Sequence, residues 1–319
     1  VGALPDHVTF SPDGRYVMSA NEGEPKSYCL TDGKLPTTTD PYGSISLIDV
    51  SGAVPSAATT LNFEAYNDRA GALTFQGGRV FGPNATTAQD LEPEYITFSA
   101  DSKYAYVTLQ EANAIAIVDL VNKTILDVAP LGFKDWGAAG LVYDGSNVDS
   151  GTNGTLANPI SYAGVPLKGM YLPDTIASMQ RNGETFLLTA NEGDARDYDC
   201  FKEESTFADA SGTDSFASFW DTANDTVKTN NKLGVQKTTL AFPTKVPVSG
   251  TTTNLYTFGG RSFSIWNSSG ELVWDSGSQL EEIALRDYPA AFNSDSSDSA
   301  ATPQLMVSGP VFTTSGPSF

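Results

Sequence analysis

Pro5-Asp6-His7-Val8-Thr9-Phe10-Ser11-Pro12-Asp13-Gly14-Arg15-Tyr16-Val17, running on to Ser19-Ala20-Asn21-Glu22, decides the fold because the chain repeats it. The phrase returns as Pro93-Glu94-Tyr95-Ile96-Thr97-Phe98-Ser99-Ala100-Asp101-Ser102-Lys103, ahead of Thr108-Leu109-Gln110-Glu111. A third copy runs Pro173-Asp174-Thr175-Ile176-Ala177-Ser178, through Asn182-Gly183, to Thr189-Ala190-Asn191-Glu192. A looser fourth copy is read at Leu255-Tyr256-Thr257-Phe258, followed by Gly259-Gly260-Arg261. Self-similarity of this kind marks a repeat architecture, in which each copy is one supersecondary unit.

Each copy reads as two short strands and a turn, with Asp13-Gly14 and Asn182-Gly183 supplying the positive-φ residues a tight hairpin needs. A third strand follows and also repeats: Gly43-Ser-Ile-Ser-Leu-Ile-Asp-Val50 resembles Asn113-Ala-Ile-Ala-Ile-Val-Asp-Leu120. Ser262-Phe-Ser-Ile-Trp266 fits the same place, and Ser268-Ser269-Gly270 turns into Glu271-Leu-Val-Trp-Asp275. No amphipathic helix of the length a parallel α/β fold requires separates the copies. The expectation is therefore all-β, a β-propeller of antiparallel three- to four-stranded blades with long decorated loops. Residues 1–292 would form the propeller, as a complete or an incomplete ring, and 293–319 a Ser/Asp/Pro-rich tail or the start of a further blade. The clear copies begin 80 to 90 residues apart, about twice an ordinary blade, so the intervening stretches are long loops, cryptic blades or both.

Eighteen basic against thirty-eight acidic residues give a net charge of −20, which repels nucleic acid and favours divalent cations. No apolar run is long enough for a transmembrane helix. The start of the chain carries no signal-peptide pattern, which fits a leader already removed. Asn-x-Ser/Thr acceptors at Asn84, Asn122, Asn153, Asn224 and Asn267 agree with a secreted glycoprotein. Cys29 and Cys200 each lie shortly beyond an Asn-Glu-Gly turn, so they are either a disulfide between two loops or two free thiols.

The second strand of every clear copy ends at a glutamate: Glu22, Glu111 and Glu192. Strands of equal rank in a propeller end on one face, so these acids should converge. Each copy also opens with proline and an acid (Asp6, Glu94, Asp174), and Glu24, Glu92 and Asp194 add to the set. Crowded carboxylates need protons, arginines or a hard cation, and calcium accepts six to eight oxygens. The metal candidates are Glu22, Glu24, Glu92, Glu94, Glu111, Glu192 and Asp194, with the Asn21 and Asn191 amide carbonyls as further ligands. Arg196 and Arg261 would neutralise the remainder or hold an anion. A solvated acidic rim of ordinary turns is the alternative. The single histidine, His7, reads as a strand residue, and no serine elbow, phosphate loop or zinc-type pair is present. Trp136, Trp220, Trp266 and Trp274 read as core between blades, or as a sugar-stacking platform.

Five ordered phrases carry a family resemblance. Asn21-Glu22-Gly23-Glu24-Pro25, Asp90-Leu-Glu-Pro-Glu-Tyr-Ile96, Leu131-Gly-Phe-Lys-Asp135, Asn191-Glu-Gly-Asp-Ala-Arg-Asp-Tyr198 and Phe258-Gly-Gly-Arg-Ser-Phe-Ser-Ile265 resemble the choice-of-anchor I family. That resemblance implies a YVTN/WD-like propeller, secreted or attached to the cell surface, similar to a mesenchyme-specific cell-surface glycoprotein and to atypical alkaline phosphatases. It also implies that Glu22, Glu24, Glu92, Glu94, Glu192, Asp194, Arg196 and Arg261 hold the family's distinctive positions. After Asn293 the sequence departs from the family's usual Lys-Gly-Pro-Glu-Pro-Glu continuation. The expected function is a calcium-binding structural or adhesive surface glycoprotein, partnered by matrix proteins or by its own copies. The alternative is a metal-dependent phosphomonoesterase with Glu192, Arg196 and Arg261 as the catalytic candidates.

Overall fold

The computed structural model describes residues 1–31, 33, 35–145, 166–207, 236–243 and 254–287. Its first two copies are four-stranded antiparallel blades with strands in chain order. Blade one holds β1 (Pro5–Phe10), β2 (Tyr16–Asn21), β3 (Ser44–Asp49) and β4 (Thr59–Asn62). Blade two holds β5 (Pro93–Phe98), β6 (Tyr104–Leu109), β7 (Ala114–Asp119) and β8 (Thr124–Pro130). The turns close as the sequence predicts. Ser11 Oγ donates to Asp13 Oδ1 at 2.6 Å and Ser99 Oγ to Asp101 Oδ1 at 2.7 Å, so each first hairpin is closed by the same Ser-x-Asp device. Ser102, at φ +55°, stands where blade one has Gly14 at φ +70°.

After blade two come β9 (Phe133–Asp135) and β10 (Leu167–Met170), and then the third copy opens with β11 (Ile176–Arg181) and β12 (Glu184–Asn191). Its blade is completed from far along the chain, by β18 (Ser262–Asn267) and β19 (Leu272–Asp275). The register proves the equivalence. Asn191 pairs with Ser262 as Asn21 pairs with Ser44 and Leu109 with Ala114. Blade three therefore carries a long insertion between its second and third strands. That insertion forms the hairpin β13 (Asp197–Tyr198) and β14 (Phe201–Lys202), then β15 (Glu204–Thr206), β16 (Lys237–Thr239) and β17 (Leu255–Thr257).

The Leu255–Phe258 phrase is thus not the start of a fourth blade. β17 runs parallel to β10 inside a five-stranded sheet of order β15-β16-β17-β10-β9. Local periodicity shows only that a short stretch is extended, not which distant strand it joins, which is why the resemblance misled. Among the described residues helices are few: a 3₁₀ turn at Glu64–Tyr66, α1 (Ala70–Phe75), α2 (Thr87–Asp90) and α3 (Gln279–Asp287). Among the described residues no helix is long and apolar enough to cross a membrane. The expected boundary near residue 292 and the tail beyond it lie outside the described residues.

Blade two sits between the other two, with β5 packed against β1 and against β11. This explains a difference in what fills equivalent positions. In blade one, Asn21 Nδ2 donates to Ser44 Oγ (3.3 Å) and Ser46 Oγ (3.1 Å), and Ser19 Oγ donates to Asn21 Oδ1 (3.0 Å). Blade three repeats the arrangement with Asn191, Ser262, Ser264 and Thr189. In blade two the same four places are Leu109, Ala114, Ala116 and Val107, all buried. Either a fully paired polar rung or an apolar one satisfies a buried strand, and a half-made rung would not.

Two apolar clusters fill the spaces between blades. Met18, Ile45, Leu47, Ile96, Val107 and Val118 belong to the first, and Tyr106, Ile115, Ile176, Leu187 and Trp266 to the second. Trp136 and Trp266 are buried as expected. Trp274 departs from the core reading: it is 39% exposed, on the outermost strand of blade three, with its ring 5.2 Å from that of Phe263. Trp220 lies outside the described residues.

Candidate functional site

The first strands of blades one and two are irregular at their entrances. Register slips between Pro5 and Val8 in β1 and between Pro93 and Ile96 in β5, so Asp6-His7 and Glu94-Tyr95 each sit in a bulge. A bulge re-aims a side chain that a regular strand would turn the other way. The two bulges interlock: the His7 and Tyr95 rings stack at 3.7 Å, and His7 Nδ1 accepts the Ile96 N–H at 3.2 Å. His7 therefore works as a strand residue, as its sequence context predicts. Blade three joins through Thr108 Oγ1, which donates to the Asp174 carbonyl at 2.6 Å.

These contacts bring carboxylates from different blades together. Oxygen atoms of Asp6, Glu22 and Glu94 all lie within 4.8 Å of one another. Burial, then the charges of Glu24, Asp6, Glu111 and Asp174, push the Glu22 carboxyl up to about 8. Burial and Glu111, Glu22, Asp6 and Asp174 hold Glu94 far above the usual carboxylate range. Burial, Asp174 and Asp194 push Glu192 up to about 7. Of the three strand-end glutamates, Glu22 joins this group, whereas Glu111 and Glu192 stand outside it among the described residues. Glu111 is 8% exposed, is raised chiefly by burial, and its Oε2 has no hydrogen-bond partner. Asp6 and Glu94 are the proline-acid openings of their copies, and that shared opening is the sequence signal for two of the triad's members.

The choice-of-anchor I domain description matches residues 1–305. The chain belongs to this family. No curated relative matches it. In structure the domain is similar to hydrazine synthase of Kuenenia stuttgartiensis, at 12% identity over 86% of this chain and 49% of that one, with a TM-score of 0.25. It is similar to U3-55K at 12% identity, over 60% of this chain and 46% of that one, with a TM-score of 0.26. It is similar also to the β-propeller domain of Cps50 (Swd1) from Myceliophteria thermophila, at 11% identity, 85% and 72% coverage and a TM-score of 0.24. The chain spans about half the length of the first two.

Within this choice-of-anchor I domain the other expected site residues have protein partners of their own. Arg196, fully buried, forms ion pairs with Asp90 and, at 2.8 Å, with Glu92 Oε2. Arg79 pairs with Glu203, whose Oε1 accepts the Arg196 N–H at 2.9 Å. The two guanidinium groups lie 4.2 and 4.7 Å from the Phe81 ring centroid. Arg261 pairs with Glu281 at 2.7 Å, donates to the Asp144 carbonyl at 2.8 Å and stacks on Tyr143 at 4.5 Å. Both candidate anion clamps are thus internal counter-ions. Asn21 and Asn191 are no metal ligands either, because their amides are spent on the serine rungs of their blades.

Glu24 accepts the Tyr198 hydroxyl at 2.6 Å, and Asp194 is exposed on its loop. Cys29 and Cys200 form a disulfide, with Cα atoms 5.2 Å apart. The Asn191-Glu192-Gly193 turn has its glycine at φ +93°, where a Cβ would meet Gly259 N at 2.1 Å, so neither glycine tolerates a side chain. Asn84 and Asn122 are exposed; the Asn122 amide donates to Asp119 Oδ2 and the Asn267 amide to Glu271 Oε2, both at 2.7 Å within their own turns. Asn153 and Asn224 lie outside the described residues. Sequence reasoning missed Arg79, Glu203 and Asp40. Asp40 is 1% exposed, neither carboxylate oxygen has a hydrogen-bond partner, and burial pushes it up to about 7.

Proposed function

We propose that this choice-of-anchor I domain is a surface-exposed, secreted β-propeller-type module that binds a divalent cation, calcium by its oxygen-only donor set, and uses it to tie neighbouring blades together. The observation that carries the reading is the meeting of Asp6, Glu22 and Glu94, with the charge of Glu111 acting on Glu22 and Glu94 and its buried Oε2 unpartnered. Carboxylates this close must be protonated, paired or metal-bound, and among the described residues no arginine or lysine forms an ion pair with any of these four. Hard oxygen donors without thiolate or a converging imidazole favour calcium over zinc. The disulfide and the family support an oxidising, extracellular setting.

The role is structural, with matrix proteins or further copies of the chain as partners. The alternative hydrolase would need a guanidinium free to hold phosphate, and Arg196 and Arg261 are both engaged. Calorimetric titration of calcium into metal-stripped protein tests the reading. We expect one site with a dissociation constant on the order of 10⁻⁴ M, typical of extracellular modules, and release of protons that grows as pH falls toward 6. Absence of heat, together with a melting temperature indifferent to calcium and to chelator, would refute it. So would chelator-sensitive hydrolysis of a chromogenic phosphate ester that Glu192→Gln abolishes.

A further inference from the structure

The disulfide joins the two loops that leave the ends of β2 and β12, the first of which carries Glu22 of the candidate site. One runs Glu22-Gly23-Glu24 to Cys29, the other Glu192-Gly193-Asp194 to Cys200. Each loop has anchors of its own, Lys26 N–H to the Thr39 carbonyl at 2.8 Å in the first and the buried Arg196 ion pairs in the second, and the shared bond is the covalent link between them. What else links them is slight: Tyr198 donates to Glu24 Oε1 at 2.6 Å, Tyr28 N–H to the Asp199 carbonyl at 2.9 Å, and the Tyr28 ring meets those of Tyr198 and Phe201 edge-on at 5.8 and 5.1 Å. Cys200 is exposed and Cys29 half-buried, so a small thiol can reach the bond.

We infer that cation binding and the Cys29–Cys200 disulfide are thermodynamically linked, the oxidised chain binding calcium more tightly because the bond holds the Glu22–Glu24 and Glu192–Asp194 loops in facing positions. This rests on the cation site proposed above. Reduction by a dithiol such as dithiothreitol breaks the S–S bond, leaves two cysteine thiols and converts the reagent to its cyclic disulfide. Each loop then gains the conformations the bond excluded, and a cation must order them again on binding. Linkage is reciprocal, so calcium must favour the disulfide by the same factor.

The test compares calcium affinity of the full chain, oxidised and then reduced and blocked with iodoacetamide. The expected result is at least tenfold weaker binding by the reduced chain with an unchanged far-ultraviolet spectrum. In a glutathione redox titration, saturating calcium should lower the midpoint by about 30 mV, the equivalent of tenfold for a two-electron couple. Tyr198→Phe leaves the disulfide intact and should weaken calcium binding at least threefold, which covers the case of a reduced chain that fails to fold. Equal affinities in both redox states, or for Tyr198→Phe and wild type, overturn the linkage and leave the site standing. An oxidised chain that binds no calcium overturns the site and the linkage with it.

Discussion

Arg196→Met should destabilise the protein by about 3–5 kcal/mol, the usual result of removing one partner from a buried ion pair. Arg196 is fully buried and pairs with Asp90 and Glu92, themselves 1% and 2% exposed. Methionine replaces most of the volume, so the loss is chiefly electrostatic. Asp90 keeps the amide hydrogens of Phe81 and Gly82, but Glu92 loses its only ion-pair partner among the described residues. Its carboxyl already stands well above the ordinary range, chiefly through burial and against the pull of Arg196. Urea denaturation measures the effect, with Arg15→Ala as the control. Arg15 and its partner Asp49 are solvent-accessible, so Arg15→Ala should leave the denaturation midpoint almost unchanged. A loss below about 1 kcal/mol for Arg196→Met would show that the guanidinium is not the counter-ion of this layer.

Glu94→Gln separates stability from binding. Calcium affinity should fall about a hundredfold, since one of the three converging carboxylates is gone. The metal-free variant should nevertheless melt no lower than wild type at pH 7.5, because the Glu94 carboxyl, held far above the ordinary range, must take up a proton on folding and a neutral amide need not. The pH dependence follows with a definite sign. Glu22 is raised from 4.5 to about 8 by burial first and by its acidic neighbours second. The native state therefore holds protons that the unfolded chain releases. The contribution of Glu22 to the stability of the metal-free protein is complete below about pH 4.5 and falls as pH rises toward 8. Calcium substitutes for the protons, so the melting temperature in millimolar calcium should vary little across that range. A metal-free protein that gains stability between pH 5 and 8 would contradict the account.

The repeated phrase made much of this legible. A hairpin closed by Asp13-Gly14 and again by Asp101-Ser102 is a local event, and local events survive in sequence. The repeated strand-end acid pointed to Glu22, though its converging partners are the opening acids Asp6 and Glu94 rather than Glu111 and Glu192, and the disulfide joins the two loops that the cysteine positions suggested. What stayed hidden depends on partners far apart in the chain. The parallel pairing of β10 with β17 leaves no periodic mark, and Asn21 reads as a candidate ligand until Ser44 and Ser46 are seen opposite it. Arg196 likewise reads as an anion clamp because a sequence shows its charge but not Asp90 and Glu92 beneath it.

The central claim is that blades one and two supply ligands to one ion. Anomalous diffraction from crystals grown in calcium tests it most directly. The account predicts a peak about 2.3–2.6 Å from carboxylate oxygens of Asp6, Glu22 and Glu94, the ordinary calcium–oxygen range. A peak bound by acids of a single blade, or a triad without any peak at saturating calcium, would contradict it.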